Sequence, residues 1–144
     1  MALLDVNALV ALAWDSHVHH APMRAWFVAN GSTGWATCPV TESGFVRVSS
    51  NPKVLPSAIG VGAAREVLSA LRAQRGHCFL ADDVSASDRD VPAIAGYRQV
   101  TDAHLLTLAR RRGVRLVTFD AGIMAMSDGH DVEVLTTMPG RSGR

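Results

Sequence analysis

Five short apolar runs, separated by longer stretches of helical pattern, decide what this chain of 144 residues can fold into. The runs are Leu3 and Leu4, Gly34 to Cys38, Cys78 to Leu80, Val114 to Phe119 and Val132 to Leu135, each the length of a buried strand and too short for a helix. Between them, apolar residues recur at helical spacing over 8–13, 17–29, 41–50, 61–75 and 100–112. The clearest stripes are Ala64, Val67, Leu68 and Leu71, with Gly76 just past the helix end, and Leu105, Leu106, Leu108 and Ala109. Strands alternating with helices build a parallel sheet joined by right-handed crossovers. The predicted fold is therefore α/β, a three-layer sandwich with a mainly parallel central sheet, Rossmann-like in class. With 48% hydrophobic and 19% charged residues, the chain suits one packed domain over 1–138, leaving a flexible tail at 139–144.

The apolar opening MALLDVNALVALAW has Asp5 in its middle and no basic leader, so it reads as neither an export signal nor a membrane span. No apolar run approaches the ~20 residues a bilayer needs. Cys38 and Cys78 lack the paired spacing of a zinc or redox motif and are expected as buried free thiols in a reducing cytoplasm. Net charge is only +1, yet its distribution is uneven. Arg65, Arg72 and Arg75 fall on one side of a helix, Arg110, Arg111, Arg112 and Arg115 form a second basic cluster, and Asp82, Asp83, Asp88 and Asp90 crowd one stretch.

Four acids hold a particular kind of position. Asp5 and Asp120 directly follow strands, whereas Glu42 and Asp102 sit in the first turns of helices. Taken singly, Glu42 and Asp102 read as caps or partners of a helix dipole. An acid at the end of a buried strand is harder to explain in that way, because desolvation opposes its charge. In a parallel α/β fold both strand-end acids face the crevice outside the carboxyl ends of the strands. Carboxylates gathered there repel one another unless they take up protons or share a cation, and a hard divalent ion with oxygen ligands answers that need. Such a site suits hydrolysis of phosphodiesters by an activated water. On this reading Asp5, Asp102 and Asp120 bind Mg²⁺, Glu42 assists the water, and Asn7 and Thr118 support them by hydrogen bonds.

These residues lie in LLDVNALVAL, CPVTESGFVRV, QVTDAHLLTLAR and LVTFDAGI, four ordered motifs that span nearly the whole chain. In them the sequence resembles the PIN-domain ribonucleases, and most closely the VapC toxins of bacterial VapBC toxin–antitoxin pairs. The resemblance implies a PIN-like sheet, Mg²⁺ or Mn²⁺ at an acidic centre, endonucleolytic cleavage of RNA, homodimerisation and inhibition by a cognate VapB-like antitoxin. Ser43 and Ala121 depart from the larger polar residues that relatives often carry beside these acids. Arg47, Lys53, Arg65, Arg72 and Arg75 are the candidate RNA contacts, since an anionic centre attracts RNA only if flanking cations offset its field.

Two other readings start from the same acids. A phosphatase of the haloacid dehalogenase type would need Asp-x-Asp where the chain has Asp5-Val6-Asn7, and a receiver-like phosphotransfer domain would need a late lysine where Lys53 is the only lysine. A catalytically silent module that binds RNA or a partner is the remaining alternative. His17, His19 and His20 have no carboxylate partner nearby in sequence and are expected in cap and surface contacts, with no zinc site. His104 lies ~200° around its helix from Asp102 and is expected away from the metal. Trp14, Trp26, Phe27 and Trp35 read as core residues.

Overall fold

The structure, a computed structural model, describes residues 1–94 and 96–136, and the tail expected at 139–144 lies outside them. The elements run β1 (Ala2–Leu4), α1 (Val6–Ala13), α2 (His20–Asn30), β2 (Trp35–Thr37), α3 (Pro39–Ser49), α4 (Val61–Arg72), β3 (His77–Phe79), α5 (Val100–Arg111), β4 (Arg115–Thr118) and β5 (Val132–Val134). The strands form one sheet in the order β3-β2-β1-β4-β5, and every pair is parallel. The expected α/β sandwich is the observed architecture.

Side-chain alternation along the strands divides the core into two layers. Leu3, Ala36 and Leu116 point to one face, where they pack with Leu105, Leu106, Leu108 and Ala109 of α5. Ala2, Leu4, Trp35 and Val117 point to the other face, against Leu9, Met23, Trp26 and Phe45 from α1, α2 and α3. The chain walks outward from β1 through β2 to β3, then crosses over by α5 and resumes at β4 on the far side of β1. The right-handed rule sends that reversed crossover to the opposite face, and a crevice opens where the two directions part, outside the carboxyl ends of β1 and β4.

Element ends differ from expectation for local reasons. α2 begins at His20, because residues 17–19 are held as a turn in which the His19 N–H donates to His17 Nδ1. α3 begins two residues before Thr41, with Pro39 in the first helical position and the Thr41 hydroxyl accepting from the Cys38 N–H. α4 stops at Arg72, ahead of the turn that leads to Gly76 with φ +88°. Of its predicted stripe only Ala64 is buried, while Val67, Leu68 and Leu71 are partly covered at the rim of the same core, with α4 packed chiefly on α3. Cys38 is buried and free at the start of α3, and Cys78 is free but only half-buried. Trp26 and Trp35 are buried, whereas Trp14 and Phe27 are partly covered at the edge of the same core. Among the described residues, no helix is long and apolar enough to cross a membrane.

Candidate active site at the carboxyl edge of the sheet

Register brings the acids together. Leu4 pairs with Val117, and the Asp5 N–H donates to the Val117 carbonyl at 3.1 Å, which sets Asp5 level with Thr118 across the central strand pair. No loop separates β1 from α1, so Asp5 is also the cap of α1. Its Oδ1 accepts from the Ala8 N–H at 2.7 Å, and the Asn7 backbone N–H reaches the same carboxylate. The Thr118 hydroxyl, fully buried, donates to Asp5 Oδ2 and accepts from the Asp120 N–H at 3.0 Å. One threonine thus ties the two strand-end acids to each other. Asp120 caps the turn that follows it, accepting from the Gly122 N–H at 2.9 Å.

Asp102 arrives from the first turn of α5 and comes up beside Asp120. Burial first, then the approach of Asp120 and the charges of Asp120 and Asp5, push its carboxyl up to about 7. Asp5 is 4% exposed, and burial pushes it up to about 6 although the Thr118 and Ala8 hydrogen bonds oppose the rise. Near neutral pH about half of the Asp102 carboxyls therefore keep a proton, as crowded carboxylates do. The capping roles are the reverse of those expected: Asp5 and Asp120 cap, while Glu42 and Asp102 do not.

Glu42 belongs to a neighbouring cluster. Thr37, the last residue of β2, donates to Glu42 Oε2 at 2.6 Å and stands 2.8 Å from His77 Nε2, while Arg72 Nη1 lies 3.4 Å from Glu42 Oε1. Because the hydroxyl proton points at Glu42, the ring nitrogen must donate, which places the His77 proton on Nε2. Burial, and then Arg72, lower the His77 imidazole below its ordinary range, in keeping with a neutral ring. The charges that act on Asp5 and Asp102 come from the aspartates, and Glu42 is not among them.

The basic residues divide. Arg47, Arg65 and Arg72 line a cleft of about 1190 Å³ between α3 and α4, together with Glu42 and Phe79, and Arg72 stacks over Phe79 at 5.0 Å. Lys53, in the turn after α3, and Arg75, beyond the end of α4, do not line it. The second basic cluster is neutralised: Arg110 pairs with Asp131, Arg111 with Asp88 and Asp90, Arg112 with Asp83 and Arg115 with Glu133. His104 pairs with Asp82 at 2.6 Å. His20 Nδ1 meets the Ala11 carbonyl, and His19 stacks on Phe119 with centroids 4.3 Å apart.

Sequence reasoning passed over Thr37 and His77. Thr37 had a signal, since it repeats the Thr118 device of a strand-end hydroxyl aimed at an acid one element away. His77 had none, because its partner lies 40 residues back along the chain.

The donor set suits a hard divalent ion: carboxylate oxygens with one exchangeable proton, a hydroxyl behind them and no sulfur or imidazole. Among the described residues no three His, Cys, Asp or Glu side chains converge closely enough to cage an ion by themselves. That arrangement fits Mg²⁺, which keeps several waters and shares its remaining positions with substrate phosphate.

A family model described as PIN domain matches residues 2–128. The chain is 72% identical to Ribonuclease VapC38 of Mycobacterium tuberculosis (strain ATCC 25618 / H37Rv), over 96% of this chain and all of that protein. It is 49% identical to Ribonuclease VapC39 of Mycobacterium tuberculosis (strain CDC 1551 / Oshkosh), over 93% of this chain and 99% of that one. The fold is shared with the crystal structure of Mycobacterium tuberculosis VapC20, a sarcin–ricin loop cleaving toxin, at TM-score 0.60 and 12% identity, covering 88% of this chain and 95% of that one.

Proposed function

The chain belongs to the PIN-domain family as a VapC-type member, and from that premise we propose that it is a Mg²⁺-dependent endoribonuclease, the toxin of a type II toxin–antitoxin pair. The observation that carries the reading is the meeting of Asp5, Asp102 and Asp120 at the switch point of the sheet, where Thr118 ties Asp5 to the Asp120 backbone. A bound Mg²⁺, or Mn²⁺ in its place, would neutralise charge on the scissile phosphate and acidify the attacking water. Asp5, Asp102 and Asp120 would hold it. Each Asp5 oxygen accepts a protein hydrogen bond that fixes the carboxylate and leaves a further lone pair, with which Asp5 would join Asp102 and Asp120 in holding the ion. Thr118 keeps Asp5 and the Asp120 backbone in register, and Asn7 contributes its backbone N–H. Glu42, oriented by Thr37, accepts a proton from the water side of the site. Arg47, Arg65 and Arg72 bind flanking phosphates, with Lys53 and Arg75 as outlying contacts. The partners on this reading are RNA, a VapB-like antitoxin and a second copy of the chain, all in the cytoplasm.

The test is cleavage of RNA in Mg²⁺ and in chelator by the parent, Asp102→Asn and Asp5→Ala. Loss of at least 100-fold in both variants, and in chelator, is the expected result, in line with removal of groups that stabilise charge at the transition state. Parent protein that binds RNA without cutting it would favour the silent binding module. Cleavage that survives both substitutions would remove the assignment.

A further inference from the structure

Beside the carboxylates lies an apolar cavity that the proposed chemistry does not use. It measures about 440 Å³, within the ~300–1,000 Å³ span of small-molecule sites. Val40, Val91, Pro92 and Ile94 line it, with the polar groups of Thr101 and His104. Asp82 fixes one His104 ring nitrogen and leaves the other without a partner among the described residues. Ahead of Val91, Pro92 and Ile94, the same loop pairs Asp88 and Asp90 with Arg111.

Its place in the molecule tells more than its size. Val40 and Thr101 also line a smaller hollow of about 360 Å³, and Thr101 immediately precedes Asp102. Pro39, Ser43 and Arg47 continue that hollow into the arginine cleft between α3 and α4. An apolar socket, a hollow whose Val6 and Thr101 are the chain neighbours of Asp5 and Asp102, and an arginine-lined cleft thus follow one another. A ligand that fills all three must offer a flat apolar group with polar edges, then a phosphate, then further negative charge. Single-stranded nucleic acid has that order, because an unstacked base can enter a socket while the backbone continues past it. A protein segment could meet the arginines with carboxylates, but it brings no phosphate to the acids between socket and cleft.

Resting on the nuclease reading, we propose that the cavity is the subsite for one unpaired nucleobase beside the scissile phosphate, so that the enzyme selects single-stranded RNA by the base at that position. Val40, Val91, Pro92 and Ile94 cover the faces of the base, and Thr101 and His104 meet its edge. Ala86 and Ala93, both exposed and both lining the cavity, give space that larger residues would fill.

The experiment is cleavage of a randomised single-stranded RNA pool in Mg²⁺, with the cut ends sequenced, by the parent, Ala93→Trp and Ala86→Leu. Thermal melting verifies that each variant folds. The proposal expects a base preference at one position next to the cut in the parent. The filled variants should flatten that preference at least fourfold and slow cleavage of the preferred sequence at least tenfold. An abasic nucleotide at that position should slow the parent by a similar factor and the filled variants little. Folded variants with the parent's sequence profile would overturn the proposal and leave the cavity to a protein side chain. A parent that cuts nothing would instead strike the nuclease reading, which separates the two failures.

Discussion

Asp5 is held in two ways that oppose each other: hydrogen bonds from Ala8 and Thr118 favour its charged form, and burial disfavours it more strongly. In the unfolded chain the group ionises near 3.8 and in the folded chain near 6, so between those values the folded state carries the extra proton. The Asp5 contribution to the stability of the metal-free protein therefore declines as pH rises from about 4, Asp102 extends the decline to about 7, and the lowered His17 and His77 rings oppose it in part below 6.5. For Asp5 alone the shift is worth about 3 kcal/mol. Melting in chelator should show a higher melting temperature at pH 5 than at pH 7.5, and added Mg²⁺ should stabilise more at pH 7.5 than at pH 5. By the same logic Asp102→Asn should melt higher than the parent in chelator at pH 7.5 while losing cleavage; a lower melting temperature would contradict the crowding of these acids. His77 yields a different kind of prediction. His77→Phe removes the donor behind Thr37 and should lower kcat about tenfold with little change in KM, and His77→Gln should recover most of it. A purely structural role would move the melting temperature and leave that kcat–KM division unseen. The acids were legible in the sequence because each abuts an apolar run. Which of them cap was not, since capping depends on a zero-length connection between β1 and α1 that only coordinates reveal.

The active site depends on how closely α1 and α3 cross, because Asp5 caps one and Glu42 lies in the first turn of the other. Gly44 sets that distance. A Cβ there would stand 2.4 Å from Val6 Cγ2, nearer than two carbons can approach. Gly44→Ala should cost ~1–3 kcal/mol in urea denaturation, the usual range for overpacking a filled interior, and should lower cleavage by displacing the first turn of α1. Stability equal to the parent's would mean that the helices have slack there. The helical elements were readable from periodicity, and the all-parallel order followed from alternation. The degree of burial was not. α4 has the plainest stripe in the sequence yet is only partly covered, because it packs chiefly on α3 at the rim of the core and leaves part of that side open to the cleft. The stripe in α5 looks similar and is fully buried, since it is the main cover of its face of the sheet, flanked there by Leu80, Val84 and Ile123.

A net charge of +1 hides a division of labour at the scale of the whole molecule. Two basic clusters are equally visible along the chain, but folding treats them differently. Arg110, Arg111, Arg112 and Arg115 meet acids from residues 83–90 and 131–133, and their fields largely cancel. In the cleft between α3 and α4, Arg47 and Arg65 have no carboxylate within ion-pair distance among the described residues, and Arg72 has only Glu42 at 3.4 Å. Sequence counting cannot separate the two clusters, because each pairing joins residues 18 or more positions apart. RNA binding does separate them. Each phosphate contact with single-stranded nucleic acid contributes about 0.7 to the slope of log affinity against log salt, through release of condensed counterions. In RNA binding measured in chelator, Arg47→Ala and Arg65→Ala should each weaken affinity and flatten that slope by about 0.7. Arg115→Ala, at the opposite end of the sheet, should leave both affinity and slope at the parent's values. Equal losses from all three substitutions would mean that RNA feels the molecule as a diffuse charge, and the cleft would lose its claim to the substrate strand.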